Sequence, residues 1–230
     1  MSELKLHVIK PSVNNMVVRV FLRAAGLPVT EQDAYGQTRT PEFSARNPSH
    51  LTPMLQEGGL PKGVLWESCA IMQYLCNKHG LERFYPTDPA KRAMVDSAMF
   101  YLVGTLYPYL ARACYPKLGF PLYAGEVGAS EATAEAKEAA RRAAAAAMAG
   151  PLEVFRSFYL GAGPFIGGES PGIADIRLAC SLEFTAAIEE TLPGWAKGYM
   201  QAVEAALGAA YAEPAADVRG YIAWVKSQPG

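Results

Sequence analysis

The sequence predicts a small α/β domain followed by a larger all-helical domain. Within the first 80 residues, patterns typical of strands alternate with helical spacing, in the order strand, helix, strand, short helix, hairpin, helix. From residue 90 onward the apolar residues recur at intervals of three and four, and we see no convincing strand. The segment between them, LERFYPTDP, holds two prolines and an aspartate, which is typical of a linker. We therefore expect domains over residues 1–80 and 90–230, joined by a linker over residues 81–89.

Turn residues delimit the elements of the first domain. Gly26 and Gly80 each follow a helical pattern and are expected to end a helix. Pro41 stands at an early position of a short helix, where its missing N–H is tolerated. The stretch QEGGLPKG separates two short apolar runs and predicts a hairpin turn. The expected elements are a strand over residues 4–9, a helix over 16–25, an extended segment after Pro28, a short helix from Thr40, a hairpin of 54–55 with 64–66, and a helix over 68–78.

Five helices are predicted in the second domain. The first spans residues 93–118, and Pro108 is expected to kink it rather than end it, because the apolar pattern resumes at once. Residues 132–149 are so rich in alanine that propensity alone favours a helix. The remaining helices are expected over residues 173–190, 195–207 and 217–226.

Composition and charge limit the classes of function. The 230 residues are 50% hydrophobic and 19% charged, as in an ordinary globular protein, with a formal net charge of −1. No basic block is present, which argues against nucleic acid or an anionic membrane surface as the main partner. The start of the chain, MSELKLHVIK, lacks the apolar core of a signal peptide, and no stretch approaches the roughly 20 apolar residues of a membrane span. We expect a cytoplasmic protein.

Neither the cysteines nor the histidines are spaced as metal ligands. The four cysteines form no C-x-x-C pair, and we expect no disulfides. Cys69 and Cys76 are expected to be small buried hydrophobic residues. The three histidines are scattered, so we predict no metal site. These residues are Cys69, Cys76, Cys114, Cys180, His7, His50 and His79.

Pro53 stands in front of an apolar run that otherwise has the pattern of a strand. Proline has no backbone N–H, so it fits only the start, the edge or a bulge of a strand. An ordinary X-Pro turn would explain an isolated proline here. A cis peptide bond would instead turn the backbone groups of Thr52 outward, toward a partner.

Three motifs occur in order along the chain: NPSHLTPML, LWESCAIMQYL and FIGGESPGIADI. With them, nearly the whole chain resembles the cytosolic glutathione transferases. TPEF and GTLYPYLARACYP are most similar to the delta and epsilon classes, with theta a close neighbour. The resemblance implies a thioredoxin-like first domain and an all-α helical bundle as the second. It also implies a homodimer, in which the first domain of one subunit packs on the second domain of the other.

The resemblance also assigns a glutathione-binding site. Pro53 would follow a cis bond, and the Thr52 backbone would pair with the cysteinyl backbone of glutathione like an added strand. Ser68 would hold the γ-glutamyl carboxylate at a helix N-terminus, with Glu67 in the charge network of the ammonium group. Helix capping alone also accounts for these two residues. His50 would hold the glycine carboxylate.

Two positions depart from the delta pattern. Thr38 replaces a histidine near TPEF, and Cys69 replaces the arginine usual after the Glu-Ser pair. Binding at the two ends of glutathione is therefore expected to be weaker, or reassigned to Arg39.

Ser12 matches the serine that activates the thiol in theta- and delta-like members. A free thiol has a pKa of about 8.5, and a hydroxyl donating to the sulfur beside a helix N-terminus favours the anion. Asn14 is the second candidate, because an asparagine at a similar position serves thiolate binding in bacterial nu-type members, and Asn15 is the third. All three residues would also cap the helix. The position of Ser12 holds neither cysteine nor tyrosine, which argues against the omega- and lambda-type thiol transferases.

The second substrate is expected between the domains, where apolar clefts form readily. Tyr107, Leu110 and Tyr115 match hydrophobic-site positions of delta-like members, and Arg112 is a less certain neighbour. Tyr101 is expected to pack in the core instead. Phe120 and Trp224 are further candidates for the rim of this cleft.

GIADI resembles the family's helix-capping box around Asp175. The family carries threonine or serine three residues before the aspartate, whereas Gly172 lacks the side-chain half of the reciprocal pair. We expect replacement of Asp175 to impair folding before activity.

The assignments together predict a glutathione transferase that conjugates the glutathione thiolate to small apolar electrophiles in detoxification. Glutathione would be the co-substrate, with no permanently bound cofactor and no metal. One alternative is glutathione-dependent peroxide reduction or dehalogenation at the same site. The other is a non-catalytic ligand-binding or interaction protein with the same fold.

Overall fold

A four-stranded sheet and three helices form the first part of the chain in the computed structural model, which describes residues 4–121 and 132–228. The strands are β1 (Lys5–Val8), β2 (Thr30–Asp33), β3 (Met54–Gln56) and β4 (Val64–Trp66), and the helices are α1 (Val13–Ala24), α2 (Pro41–Arg46) and α3 (Ser68–His79). The strand order is β2-β1-β3-β4, with β1 and β2 parallel and the other neighbours antiparallel. A βαβ unit followed by ββα is the thioredoxin-like arrangement, so the predicted fold of this part is confirmed.

The central strands carry the apolar side chains that hold this sheet against its helices. Leu6 in β1 lies opposite Leu55 in β3, and both are fully buried in the core together with Val8. β2 has the sequence TEQD and is mostly exposed, which suits a strand at the edge of a sheet. Gly80 ends α3 in the left-handed conformation, with φ 63°, as predicted from its position.

Seven α-helices follow among the described residues. They are α4 (Pro89–Tyr101), α5 (Tyr107–Leu118), α6 (Ala134–Ala147), α7 (Ala149–Val154), α8 (Ile173–Leu182), α9 (Gly194–Leu207) and α10 (Ala209–Ser227). The predicted all-helical architecture of the second part is therefore confirmed. None of the helices within residues 4–121 and 132–228 is both long and apolar enough to cross a bilayer. Because α3 ends at residue 79 and α4 begins at residue 89, we propose the domain bounds 1–80 and 90–230.

A π-helical turn, Leu102–Leu106, joins α4 to α5. Pro108 lies in the first turn of α5, and a proline within a helix lacks an N–H and crowds the carbonyl four residues earlier. A π-helical turn accommodates such an interruption without ending the helix. The predicted continuation of the helix through Pro108 is thus confirmed, and Tyr107 lies directly after the irregular turn.

The helix α8 lies at the centre of the molecule, where all ten of its residues are buried against α1, α3, α4 and α9. Asp175 fastens its N-terminus by accepting hydrogen bonds from the N–H groups of Ile166 (2.7 Å), Gly167 (2.9 Å) and Gly172 (2.9 Å). The Tyr199 hydroxyl donates a fourth bond of 2.6 Å. Burial raises the pKa of the Asp175 carboxyl, although these four donors oppose the change. The geometry supports a structural role for Asp175.

Gly172 has a steric reason to replace the usual serine or threonine. A Cβ atom at this position would lie 2.9 Å from the carbonyl oxygen of Phe84. That oxygen accepts a 3.0 Å hydrogen bond from the N–H of Ile173. Glycine therefore allows the linker backbone to approach the start of α8.

Three parts of the helical region differ from the sequence prediction. The helix predicted over residues 173–190 ends at Leu182 and is followed by a 3-10 helix, Glu183–Ala187. The last helix, Ala209–Ser227, is much longer than the predicted residues 217–226, and it contains Pro214. Pro214 is buried together with Tyr211 and Val218, so packing overrides the local cost of a proline. The helix Ala149–Val154 and the π-helical turn Phe155–Leu160 after it were not predicted, because the Gly-Pro pair at residues 150–151 has the pattern of a loop.

Candidate active site

Ser12 precedes α1 with an extended backbone and acts as its N-cap through its carbonyl group. This carbonyl accepts hydrogen bonds from the N–H groups of Asn15 (3.1 Å) and Met16 (2.9 Å). The Ser12 hydroxyl makes no side-chain capping bond. Capping of α1 therefore does not account for the hydroxyl group of this residue.

Asn14 bonds to the helical part of the chain. Its side-chain amide donates a 2.7 Å hydrogen bond to the Tyr107 hydroxyl. The Tyr107 hydroxyl in turn lies 2.9 Å from the Tyr115 hydroxyl. Two residues predicted for the electrophile site are thus brought to the N-terminus of α1.

Asn15 bonds to Thr52 instead. The amide nitrogen of Asn15, which is fully buried, donates a 3.0 Å hydrogen bond to the Thr52 hydroxyl, and its amide oxygen is buried without a hydrogen-bond partner. The Thr52–Pro53 peptide bond is cis, as the resemblance implied. β3 begins only at Met54, so Thr52 lies outside the sheet, beside the first turn of α1.

Glu67 and Ser68 lie at the N-terminus of α3, which has no side-chain cap. Glu67 is the N-cap residue and Ser68 is the first helical residue. The alternative in which Ser68 only caps the helix is therefore wrong. Ser68 is buried and Glu67 is exposed. Glu67 has a φ of 70°, a left-handed conformation that is uncommon outside glycine and is enriched at functional sites.

His50 shares this unusual backbone conformation, with a φ of 58°. Its Nδ1 lies 2.9 Å from the Thr38 carbonyl oxygen, which can only accept, so Nδ1 carries a proton and donates. Arg39 is exposed in the segment between β2 and α2. Among the described residues neither His50 nor Arg39 contacts Ser12, so their place in the site stays a prediction.

Arg177 is a residue of this region that the sequence analysis missed. Its guanidinium lies 4.9 Å from the centroid of the Tyr107 ring, in a cation–π contact. It also lies against Cys69, beside Ser68: burial raises the pKa of the Cys69 thiol, while the Arg177 charge, a hydrogen bond from Arg177 and one from Ser68 act in the opposite direction. Contacts through Tyr107 and Arg177 therefore connect the N-termini of α1 and α3. The sequence does carry one indication that this arginine is buried, because it stands within the apolar run IADIRLACSL.

The predicted hydrophobic-site residues differ in exposure. Tyr107 is almost fully buried, Tyr115 and Arg112 are half-buried, and Leu110 has no exposed surface and belongs to the core. The Tyr115 ring contacts Phe120, and an aromatic series continues from Phe120 through Tyr221 to the exposed Trp224. Tyr101 packs on Phe155 and Tyr159, which agrees with a core position.

The buried thiols have environments that oppose ionisation. Burial raises the pKa of Cys76 and that of Cys114 to about 12, so neither is a nucleophile at neutral pH. All four cysteines are free thiols. No group of three or more His, Cys, Asp or Glu side chains in the described part of the chain is arranged to hold a metal ion.

Comparison with known proteins identifies relatives with the same fold. Residues 2–77 match the family described as glutathione S-transferase, N-terminal domain. A delta-class glutathione transferase of Nilaparvata lugens is 29% identical, with a TM-score of 0.72 over 96% of this chain and 99% of its own. The apo form of human glutathione-S-transferase T1-1 is 25% identical, with a TM-score of 0.79 over 98% of this chain and 92% of its own. An epsilon-class glutathione S-transferase of the housefly, Musca domestica, is 25% identical, with a TM-score of 0.76 over 98% of each chain.

The fold is a thioredoxin-like part followed by a helical region. Residues 2–77 match the N-terminal domain of glutathione S-transferases, and the whole chain shares the fold of the delta-, epsilon- and theta-class structures. The resemblance drawn from the sequence motifs is therefore confirmed.

Proposed function

We propose that the protein is a glutathione transferase that activates the thiol of reduced glutathione and directs its sulfur at an apolar electrophile. One observation carries the proposal. The first turn of α1 contacts Thr52 directly and is connected with the N-terminus of α3 through Tyr107 and Arg177. Residues suited to the backbone, carboxylate and thiol of one tripeptide thus occur in one contact network.

In this proposal glutathione lies beside Thr52, in the segment that leads into β3. The Thr52 backbone pairs with the cysteinyl backbone, and Ser68 with the uncapped N–H groups of α3 receives the γ-glutamyl carboxylate. Glu67 interacts with the ammonium group. His50 interacts with the glycine carboxylate, and Arg39, in the segment between β2 and α2, is the second candidate for this contact.

Ser12 is the residue that we assign to the sulfur. Its hydroxyl is not used in capping, and it lies before α1, whose N-terminal partial charge favours an anion. A donated hydrogen bond lowers the pKa of the bound thiol. The thiolate then attacks the electrophilic carbon and forms a C–S bond, while the leaving group departs with the bonding electrons. The thiol proton passes to solvent.

The electrophile would bind beside Tyr107 and Tyr115, with Arg112 nearby. Leu110 would contribute only packing from the core. A homodimer fits the exposure of Phe100 (69%) and Phe158 (62%), two large apolar side chains that a partner subunit would cover. We further propose a cytoplasmic role in detoxification, in line with the family.

Titration calorimetry of the purified chain with reduced glutathione tests the proposal. We expect one binding event per chain, the ultraviolet absorbance of a thiolate at neutral pH, and turnover of an aryl halide. Absence of glutathione binding would overturn the assignment. Binding without the thiolate absorbance would favour a non-catalytic binding protein.

A further inference from the structure

Arg177 is a buried cation without an acidic partner among the described residues. Its exposed fraction is 3%, its Nη1 donates a 2.9 Å hydrogen bond to the Ser181 hydroxyl, and its Nε has no hydrogen-bond partner. The other buried arginines of the described chain each contact two carboxylates. Arg19 pairs with Glu31 and Asp217, and Arg141 pairs with Glu138 and Glu190.

An unpaired charge in the protein interior is costly, because the charge loses its hydration without gaining a counter-ion. The Ser181 hydroxyl and the Tyr107 ring compensate in part, but neither carries a negative charge. An anion bound near Arg177 would therefore supply the negative charge that its present partners lack.

The position of Arg177 indicates where that anion binds. The helix α8, which carries Arg177, packs against α3. The charge of Arg177 and a hydrogen bond from it act on the thiol of Cys69, the second residue of α3, as does a hydrogen bond from Ser68. The N-terminus of α3 is itself an anion site, because its first N–H groups lack a side-chain cap. An anion at Ser68 would thus be only one side chain away from the guanidinium.

We propose that Arg177 neutralises the α-carboxylate of the γ-glutamyl group when glutathione binds at the N-terminus of α3. The inference rests on the proposed function and adds a binding residue from the second domain. It also gives a reason for Cys69 where related sequences carry arginine. The small side chain leaves room for a guanidinium from α8, so the charge is supplied by a different helix.

The test compares two ligands on the full chain. One ligand is reduced glutathione, and the other is its analogue with the γ-glutamyl α-carboxylate converted to an amide. Dissociation constants are measured by calorimetry for the wild type, Arg177→Met and Arg177→Lys. Arg142→Met is the control, because this arginine is 66% exposed on α6.

We expect the wild type and Arg142→Met to bind glutathione about tenfold or more tightly than the amide. Arg177→Met should lose much of that preference by losing affinity for glutathione alone, because only Ser68 and the N-terminus of α3 then favour the carboxylate. Arg177→Lys should keep more of the preference than Arg177→Met. The unfolding temperature of ligand-free Arg177→Met should equal or exceed that of the wild type, because an unpaired charge has been removed.

Equal loss of affinity for both ligands, together with a lower unfolding temperature, would assign Arg177 a purely structural role and overturn the proposal. An unchanged ligand preference in Arg177→Met would also overturn it, while leaving the proposed function intact. If Arg177→Met fails to fold, the proposal is tested by the wild type and Arg177→Lys alone. It then requires that the wild type bind glutathione more tightly than the amide and that Arg177→Lys show a smaller difference. A wild type that binds no glutathione would contradict both proposals, before any substitution is made.

Discussion

Asn14 donates a 2.7 Å hydrogen bond to the Tyr107 hydroxyl and so joins the first turn of α1 to the start of α5. The residue ranked second for contact with the glutathione sulfur is therefore engaged by the helical part of the chain. Tyr107 is also contacted by Arg177 on its ring and by Tyr115 at its hydroxyl. The bond gives Asn14 a partner other than the sulfur, so we keep Ser12 as the first candidate for contact with the sulfur.

Asn14→Ala should lower the free energy of unfolding by about 1 kcal/mol, because a partly buried hydrogen bond between the two parts is lost. Tyr107→Phe should cost a similar amount. The double variant should lose clearly less than the sum of the two, since both changes remove the same bond. Urea unfolding of the four proteins measures this coupling. Simple additivity would show that the bond contributes nothing in solution.

Ser12→Ala should reduce turnover about tenfold or more, while the glutathione dissociation constant changes only a fewfold, because the hydroxyl acts on the sulfur alone. Stability should hardly change, since the Ser12 side chain makes no capping bond. Steady-state kinetics and calorimetry separate the two quantities. Asn14→Ala is the matched comparison, and a larger loss of turnover there would transfer the role to Asn14.

Ser68→Ala should weaken glutathione binding about tenfold, because the γ-glutamyl carboxylate loses a donated hydrogen bond at the start of α3. Turnover at saturating glutathione should stay near the wild-type value. Ser157→Ala, an exposed serine on another helical segment, is the control. An unchanged dissociation constant for Ser68→Ala would remove Ser68 from the binding site.

Gly172→Ser restores the residue type of the family's capping box, yet we expect it to destabilise the protein by about 1–3 kcal/mol. The new Cβ would meet the Phe84 carbonyl oxygen at 2.9 Å. Gly58→Ser serves as the control, because a Cβ there has no neighbour within 4 Å. Thermal and urea unfolding decide the matter. A Gly172→Ser protein as stable as the wild type would mean that the linker shifts freely.

Glu31 should make stability depend on pH. Burial acts to raise its pKa, but hydrogen bonds and charges from Arg19 and Arg23 prevail and lower it below the ordinary value of 4.5. The contribution of Glu31 is therefore present above pH 4.5 and is lost as the pH falls through the lower, folded-state pKa. Glu31→Gln should cost about 1–2 kcal/mol at pH 7.

The measurement is urea unfolding of wild type and Glu31→Gln from pH 7 to pH 3. The difference between the two proteins should shrink steadily over the acidic part of this range. Glu153→Gln, at an exposed position, is expected to show no such trend. A difference that does not vary with pH would mean that the charge of Glu31 is irrelevant to folding.

Local sequence patterns were enough for most of the fold. The apolar alternation of β1, the glycine that ends α3 and the hairpin of β3 and β4 are encoded by neighbouring residues, and each lies close to its predicted position. α10 begins at Ala209 rather than at the predicted residue 217, and Pro214, which disfavours a helix locally, is buried within it. Motif order, rather than periodicity, identified Thr52, Pro53 and Ser68 as site candidates.

The environment of Arg177 could not be inferred in the same way. An arginine in a helix is usually exposed, and its burial here depends on Tyr107 and Cys69, which are distant in sequence. Gly172 illustrates the same limit. Its residue type suggested a weaker cap, whereas the cause is the carbonyl of Phe84, far away in the linker.

The bond between the Phe84 carbonyl and the Ile173 amide has a practical meaning for anyone who recombines such proteins. Residues 81–89 do more than connect α3 to α4, because the carbonyl group of Phe84 lies too close to Gly172 for a side chain at that position. A hybrid whose helical region comes from another parent should therefore take residues 81–89 from that same parent. Otherwise the carbonyl at position 84 and the residue at position 172 would come from different proteins and could clash.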